Sequence, residues 1–295
     1  MTITRQPTAL EELATANRPS QLDLLDRLVA LLSASPAVTH LLVRGSLAYG
    51  TSDRLSDVDL VIGVQPSRYT AYASALDTLV RVELGAILPG WLDRIVPSMG
   101  GLGSVHLVEH CGHLQQLDLY LAPADRVFDI ADLTRGYIIY TAPAAPGAAP
   151  EPRDDPVVEA FVRDRLAAAP TCGEAVIEAL VLAFMLRKRL VRRQYMMAYA
   201  EYHMLVTAVR SLIRTALQPD RAAYGWYHLE GEIGASNLGR ACLNDLTTLM
   251  NAPPVPTPES LARALEVVVA VARRVAPDVV DGLALDLDAY LHHMT

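Results

Sequence analysis

The stretch LLVRGSLAYGTSDRLSDVDLVIGV, residues 41–64, joins two apolar segments through a polar loop. The first segment is typical of a short buried strand, and it ends at Gly45 and Ser46. The second is typical of another strand, whose alternation places Asp57 and Asp59 on the same face. Two carboxylates this close repel each other, and burying either one unpaired is costly. The pattern therefore predicts that a cation lies between them.

A divalent metal ion would resolve this conflict between the two aspartates. Carboxylate oxygens at this spacing suit Mg²⁺, with Mn²⁺ as the alternative, and such an ion also binds the phosphates of a substrate. Asp118 lies on the polar face of the alternating segment 113–122, which is typical of a further strand. If that strand lies beside 57–64, Asp118 joins the pair and two metal ions can be held.

Gly45 and Ser46 form the other half of the predicted site. Glycine allows the backbone to approach a phosphate closely, and serine offers both a hydroxyl and a backbone N–H. A strand, a Gly-Ser turn, a loop and then Asp-x-Asp predict a phosphate-binding turn that faces a metal site. Nucleotide transfer needs this arrangement, because an activated hydroxyl has to attack a triphosphate that is held in place.

The segment GSLAYGTSDRLSDVDL resembles the signature of the DNA polymerase β-type nucleotidyltransferase superfamily. That signature is Gly-Ser or Gly-Gly, a spacer, Asp-x-Asp or Asp-x-Glu between apolar flanks, and a carboxylate on a later strand. Gly45, Ser46, Asp57 and Asp59 match it in type and spacing, and Asp118 takes the third carboxylate position. In layout the chain is most similar to the antibiotic nucleotidyltransferases of the kanamycin and lincosamide type, which add a C-terminal helical domain.

The resemblance implies a metal-dependent enzyme that transfers a nucleoside monophosphate, AMP from ATP, to a hydroxyl of a small molecule and releases pyrophosphate. An aminoglycoside- or lincosamide-like compound is the implied acceptor, in antibiotic resistance or in natural-product biosynthesis. Two Mg²⁺ ions are expected at Asp57, Asp59 and Asp118, with the β- and γ-phosphates at Gly45 and Ser46. The general base is either Asp118 or a carboxylate of the helical domain.

Three arginines are further candidates for contacts with the triphosphate. Arg44 departs from the family pattern, which has an apolar or aromatic residue before the glycine, and it is either a phosphate ligand or the mark of an altered acceptor pocket. Arg189 and Arg193 lie four residues apart in a basic cluster on a predicted helix, and arginine suits bidentate phosphate contacts. A solvated helix face is the competing interpretation of this cluster.

The hydrophobic patterning predicts an α+β protein in three parts. Residues 1–140 form the catalytic domain, a mixed sheet with flanking helices, and the Pro- and Ala-rich segment 141–155 is a linker. Residues 156–295 form a helical, substrate-binding bundle. The predicted helices are 21–33, 67–83, 156–169, 173–194, 195–217, 236–250 and 259–276.

The composition restricts the setting in which the protein works. The 295 residues carry a formal net charge of −8 and three cysteines, with no signal-peptide core or membrane-length apolar run, so we expect a cytoplasmic protein without a membrane partner. The acidic balance argues against nucleic acid as the main partner. A homodimer stays open, since some relatives build their site across a dimer.

Two other classes of function are also considered. A nucleotidyltransferase of this type can instead modify a protein or RNA acceptor, such as a toxin partner. A catalytically silent nucleotide-binding protein is the other alternative. The intact Asp57 and Asp59 count against it, because a silent copy has no reason to retain both.

Overall fold

The computed structural model describes residues 18–94, 99–143 and 154–294. Six strands lie in this part of the chain: β1 (Val38–Val43), β2 (Val58–Val64), β3 (Trp91–Asp93), β4 (Leu102–His110), β5 (His113–Pro123) and β6 (Tyr137–Thr141). They form one sheet in the order β3-β4-β5-β2-β1-β6. Strands β2 and β5 are parallel, whereas every other neighbouring pair is antiparallel.

Helices cover both faces of this sheet, which explains the nearly continuous apolar character of its central strands. The helices of this region are α1 (Gln21–Ser33), α2 (Gly45–Tyr49), α3 (Pro66–Leu84), α4 (Val127–Thr134) and α5 (Pro156–Ala167). Helices α1, α3 and α5 pack on the face that carries Leu60 and Ile62 of β2. Helix α4 packs on the opposite face, which carries Val61 of β2 and Tyr120 of β5. Asp59 and Asp118 share that second face by strand alternation.

The C-terminal region is helical. It contains α6 (Cys172–Val191), α7 (Tyr195–Leu217), α8 (Leu229–Ile233), α9 (Asn237–Met250), α10 (Pro258–Val275), α11 (Pro277–Gly282) and α12 (Ala284–Met294). Helix α6 begins with a capping box, in which Thr171 and Glu174 satisfy each other's backbone N–H groups. It is buried almost all round in the helical core.

The predicted fold class, a mixed sheet with flanking helices followed by a helical region, is confirmed. The boundaries differ at two places that matter for the site. Strand β2 begins at Val58, so Asp57 directly precedes it, and α6 ends at Val191 instead of 194. The pattern also did not predict β3, α4, α8, α11 and α12, of which β3, α8 and α11 are too short to show a periodicity.

Each of the two large hydrophobic cores contains residues from both sides of the predicted linker, and the division into domains stays a prediction. Val158 and Val162 of α5 belong to the core beneath the sheet, although they follow the predicted linker. Conversely, Trp91 of β3 and Leu107 of β4 belong to the core of the helical region. Most of the linker, 144–153, lies outside the described residues.

By length and hydropathy, no individual helix of the described residues could cross a membrane. The bent pair of α5 and α6, at 80°, meets those criteria only when the two helices are taken together.

Candidate active site

The parallel pair β2–β5 brings two of the predicted aspartates side by side. Asp59 and Asp118 are register partners, and Asp57 lies two residues before Asp59, at the entrance to the strand. Strands that run parallel present their equivalent ends at the same edge, so side chains of equal register on the same face are neighbours. The topology therefore gathers the three carboxylates around the start of β2, beside the middle of β5.

The acidity of these groups reflects their proximity and burial. Burial and the charges of Asp57 and Asp59 raise the pKa of Asp118 to about 8. Burial, and then the charge of Asp57, raise the pKa of Asp59 to about 6. Burial also pushes the pKa of Asp57 upward, but the ammonium of Lys188 and several hydrogen bonds outweigh it and lower that pKa below its usual value. Burial and mutual repulsion thus oppose full ionisation of the cluster unless a further cation is added.

Gly45 is the position at which β1 approaches this cluster. Its φ of +67° is favourable for glycine, and a Cβ built there would lie 2.1 Å from Oδ2 of Asp59. Only glycine therefore lets the chain turn this close to the carboxylate. The hydroxyl of Ser46, the next residue, is buried and has no hydrogen-bond partner within the described part of the chain. An unpartnered buried hydroxyl is costly, and a bound anion would satisfy it.

Arg44 contacts the same aspartate, Asp59. Its Nη2 lies 3.6 Å from Oδ1 of Asp59, and its backbone N–H donates to the carbonyl of Asp59 at 3.1 Å. The Nε of Arg44 is buried and has no partner among the described residues. The arginine therefore supplies positive charge beside Asp59 and retains a donor for a ligand.

Lys188, the sole lysine of the sequence, reaches the cluster from the last turn of α6. It is 3% exposed, and its Nζ donates to Oδ2 of Asp57 at 3.2 Å and to Oε1 of Gln116 at 2.9 Å. Gln116 in turn donates through Nε2 to Oδ1 of Asp118 at 2.7 Å. One chain of contacts thus joins the helical region to two of the three aspartates.

Sequence reasoning missed both Lys188 and Gln116 as site residues. Lys188 lies within the basic cluster of its helix, where only its being the lone lysine of the sequence sets it apart. Gln116 lies two residues before Asp118, which places both side chains on the same strand face. That spacing was the available signal.

The structure does not bring Arg189 and Arg193 together as one helical pair. Arg189 donates through Nε to Glu201 at 2.8 Å and through Nη1 to Gln194 at 3.1 Å. Arg193 lies beyond the end of α6, exposed and with a φ of 58°. The spacing of four residues no longer defines one face there, because the helix has already ended. Their role as phosphate ligands stays a prediction.

The loop before Asp57 is held from two sides. Gln21, buried in α1, donates through Nε2 to the carbonyls of Asp53 at 2.8 Å and of Ser56 at 3.0 Å. Arg192, just past α6, donates through Nε to Oδ2 of Asp53 at 2.9 Å. These contacts hold in place the loop that leads into the carboxylate cluster.

The donor set fits a hard divalent cation such as Mg²⁺. It consists of carboxylate oxygens, and two of the three groups have a raised pKa because they are buried and lie close to like charges. As they stand, however, the described residues contain no group of three or more His, Cys, Asp or Glu side chains arranged to hold a metal ion. Lys188 occupies Oδ2 of Asp57, so a metal ion at that oxygen has to compete with the ammonium group.

No protein-family model matches the chain, and no curated protein matches it in sequence. Among solved structures, the chain aligns with a nucleotidyltransferase-like protein from Exiguobacterium sibiricum, at 12% sequence identity and a TM-score of 0.22. The alignment covers 92% of this chain and 78% of that chain. A TM-score this low does not establish a common fold or activity, so the function has to be inferred from this chain's own residues. None of these comparisons supports an antibiotic as the acceptor.

Proposed function

We propose that this protein transfers a nucleoside monophosphate, AMP from ATP, to a hydroxyl group of a small molecule and releases pyrophosphate. The observation that supports this most is that Asp59 and Asp118 are register partners beside the start of β2, close to Asp57, with Gly45 against Asp59. Nucleotidyl transfer needs a carboxylate cluster and a phosphate-binding turn next to each other, and the aspartates and the Gly45–Ser46 turn would supply both.

The aspartates would hold two Mg²⁺ ions, or Mn²⁺, whose charge stabilises the attacking and leaving oxygens. Ser46 has a free buried hydroxyl that can donate to a phosphate oxygen, and Gly45 lets the turn that carries Ser46 lie directly against Asp59. Arg44 can donate to the same group through Nε. These three residues would bind the triphosphate and orient the α-phosphorus for in-line attack.

Asp118 is the candidate for the proton acceptor. Burial and the neighbouring carboxylates raise its pKa, which makes it the stronger base once it is ionised. A carboxylate beside the acceptor hydroxyl can take its proton as that hydroxyl attacks. The helical region would then form the opposite wall of the site, with Lys188 orienting Asp57 and Gln116 through its two hydrogen bonds.

A donor screen tests this proposal. The protein and its Asp57→Asn/Asp59→Asn variant would be incubated with Mg²⁺, each labelled nucleoside triphosphate and a panel of hydroxylated metabolites and antibiotics. We expect transfer in the wild type and a loss of at least about a hundredfold in the variant. The matched control replaces Asp129 and Asp132, two exposed aspartates of α4, by asparagine and should keep full activity.

Metal binding gives a second readout that is independent of turnover. Electron paramagnetic resonance of free Mn²⁺ should show binding to the wild type and to the control, and its loss in the Asp57→Asn/Asp59→Asn variant. The proposal fails if Mn²⁺ binds the Asp57→Asn/Asp59→Asn variant as well as it binds the wild type. It also fails if calorimetry shows no binding of a triphosphate to the wild type.

A further inference from the structure

A cavity of about 600 Å³ adjoins the aspartate cluster on the side of the helical region. It lies between the turn that joins β4 to β5, the last turns of α6, the loop before β2 and the end of α12. Its volume is within the range of small-molecule sites. Nothing in the proposed handling of the triphosphate uses this space.

Two residues connect the cavity with the proposed catalytic cluster. Gln116 and Lys188 line the cavity, and the same two side chains contact Asp118 and Asp57. A ligand in the cavity that touches Gln116 is therefore one side chain away from Asp118. From there an acceptor hydroxyl can reach a proton acceptor through one bridging water, or by replacing the contact of Gln116 with Asp118.

The strand order places the cavity opposite the phosphate-binding turn. Gly45 and Ser46 follow β1, which pairs with one edge of β2, whereas the cavity is lined by β4 and β5, which lie beyond the other edge. In-line transfer requires the acceptor and the leaving pyrophosphate on opposite sides of the α-phosphorus. The cavity thus lies on the side from which an acceptor would enter.

The charges in the cavity wall are mainly positive. Arg54 and Arg187 line it, and neither side chain forms an ion pair or hydrogen bond with another described residue. Glu109 is the one acidic residue in its lining among the described residues, and it lies 3.5 Å from Nε2 of His293. Guanidinium groups without partners are suited to bidentate binding of carboxylate or phosphate oxygens.

We infer that this cavity binds the acceptor, and that the acceptor is a small molecule with an anionic group, a phosphate or a carboxylate, held by Arg187 and Arg54. The identification of the ligand as an acceptor rests on the proposed function. The anionic group would lie at the two arginines, and the reacting hydroxyl would lie at Gln116. A polycationic aminoglycoside does not fit this wall, because its ammonium groups would face unpaired guanidinium groups.

The first test uses inorganic phosphate as the probe, by calorimetry at low ionic strength without metal ions or nucleotides. We expect phosphate to bind the wild type, and its affinity to fall about tenfold in Arg187→Gln and to a lesser degree in the more exposed Arg54→Gln. The matched control is Arg68→Gln, which removes an exposed arginine of α3 outside the cavity and should leave the affinity unchanged. Equal phosphate affinity in the wild type and Arg187→Gln would overturn the inference.

The second test asks whether the cavity binds the acceptor or the donor, and whether it binds a phosphate or a carboxylate more tightly. A hexose phosphate, the matching uronic acid, the unmodified hexose and the amino sugar would be compared as ligands. Binding that favours the two acids, and that depends on Arg187, supports the inference, whereas preference for the amino sugar contradicts it. A non-hydrolysable ATP analogue with Mg²⁺ should bind Arg187→Gln within about twofold of the wild type.

If Arg187→Gln lowered the affinity for the ATP analogue as much as the affinity for phosphate, the cavity would hold the phosphates of the donor. The inference would then be wrong. Failure of the proposed function is distinguishable, because anion binding at Arg187 is measured without metal or nucleotide. If the protein binds phosphate through Arg187 but transfers no nucleotide, the anion site stands and the proposed reaction is wrong.

Discussion

The ion pair between Lys188 and Asp57 links the helical region to the sheet, and its removal should be measurable as a coupled loss of stability. The lysine side chain is 4% exposed and the aspartate side chain 26% exposed. Lys188→Met leaves the carboxylate of Asp57 and the Oε1 of Gln116 without their donor. Removing one partner of a buried pair costs about 3–5 kcal/mol, and we expect the lower end, since Asp57 keeps some contact with water.

A double-mutant cycle isolates the pair from the other effects of each substitution. Asp57→Asn leaves the ammonium of Lys188 with only Gln116, at a cost of roughly 2 kcal/mol. The double variant contains no unpaired charge, so its free energy of unfolding should lie about 2 kcal/mol above the additive expectation. The assay is urea unfolding followed by circular dichroism in the presence of a chelator, with equal m-values required for the comparison.

The neighbouring pair of Arg192 and Asp53 serves as the matched control. It joins the same end of α6 to the same loop, but the Asp53 side chain is 52% exposed. Exposed pairs are worth about 0–1 kcal/mol, so the cycle of Arg192→Met with Asp53→Asn should show little coupling. If the Lys188 cycle is additive within about 0.5 kcal/mol, the buried pair does not form as described and the reasoning is refuted.

The same variant also tests the competition between lysine and metal. Because Lys188 donates to Oδ2 of Asp57, Lys188→Met frees an oxygen for the metal ion. The stabilisation that saturating Mg²⁺ gives should therefore be larger in the variant than in the wild type, by about 1.4 kcal/mol for each tenfold gain in affinity. An unchanged or smaller Mg²⁺ effect would show that the ammonium does not compete for the site.

Four further substitutions, one of them a control, have defined outcomes. Gly45→Ala should abolish transfer and lower the melting temperature, because its methyl group would overlap Oδ2 of Asp59. Its control is Gly50→Ala, where φ is +65° and no atom lies within 4 Å of the added methyl group. That variant should lose only about 1–2 kcal/mol of stability and keep its activity. Burial lowers the pKa of His106 from 6.5 to about 4, so the folded state binds fewer protons than the unfolded state between these values. The free energy of unfolding should therefore fall by roughly 3 kcal/mol as pH drops from 6.5 towards 4. In urea unfolding, His106→Gln should lose less stability than the wild type over this pH range. A pH dependence identical to that of the wild type would contradict this. Arg214→Met, at a side chain that is 0% exposed, should cost at least about 3 kcal/mol in urea unfolding by leaving the carbonyls of Gly225 and Tyr227 without their donor, and a loss below about 1 kcal/mol would disprove that role.

Much of the local structure could be predicted from the sequence, because its signals are short-range. The leucines of α1 recur at helical spacing, and the observed helix spans Gln21–Ser33 as predicted. The alternation of β5 identified it as a strand and placed Asp118 on its polar face. Each of these features depends on residues within one or two turns or on neighbours along one strand, and so the pattern contains them.

The sequence alone determined the order of the Gly-Ser turn and the Asp-x-Asp strand, and hence the hypothesis of a site there. Only the tertiary structure decided that β2 and β5 are parallel neighbours with Asp59 and Asp118 in register. It also decided that Lys188, 131 residues along the chain from Asp57, is the cation beside it. Strand register and helix docking depend on how apolar surfaces pack together, and the spacing of residues within one segment does not determine that packing. The basic cavity beside the aspartates arises from that packing, because its walls come from four separate parts of the chain.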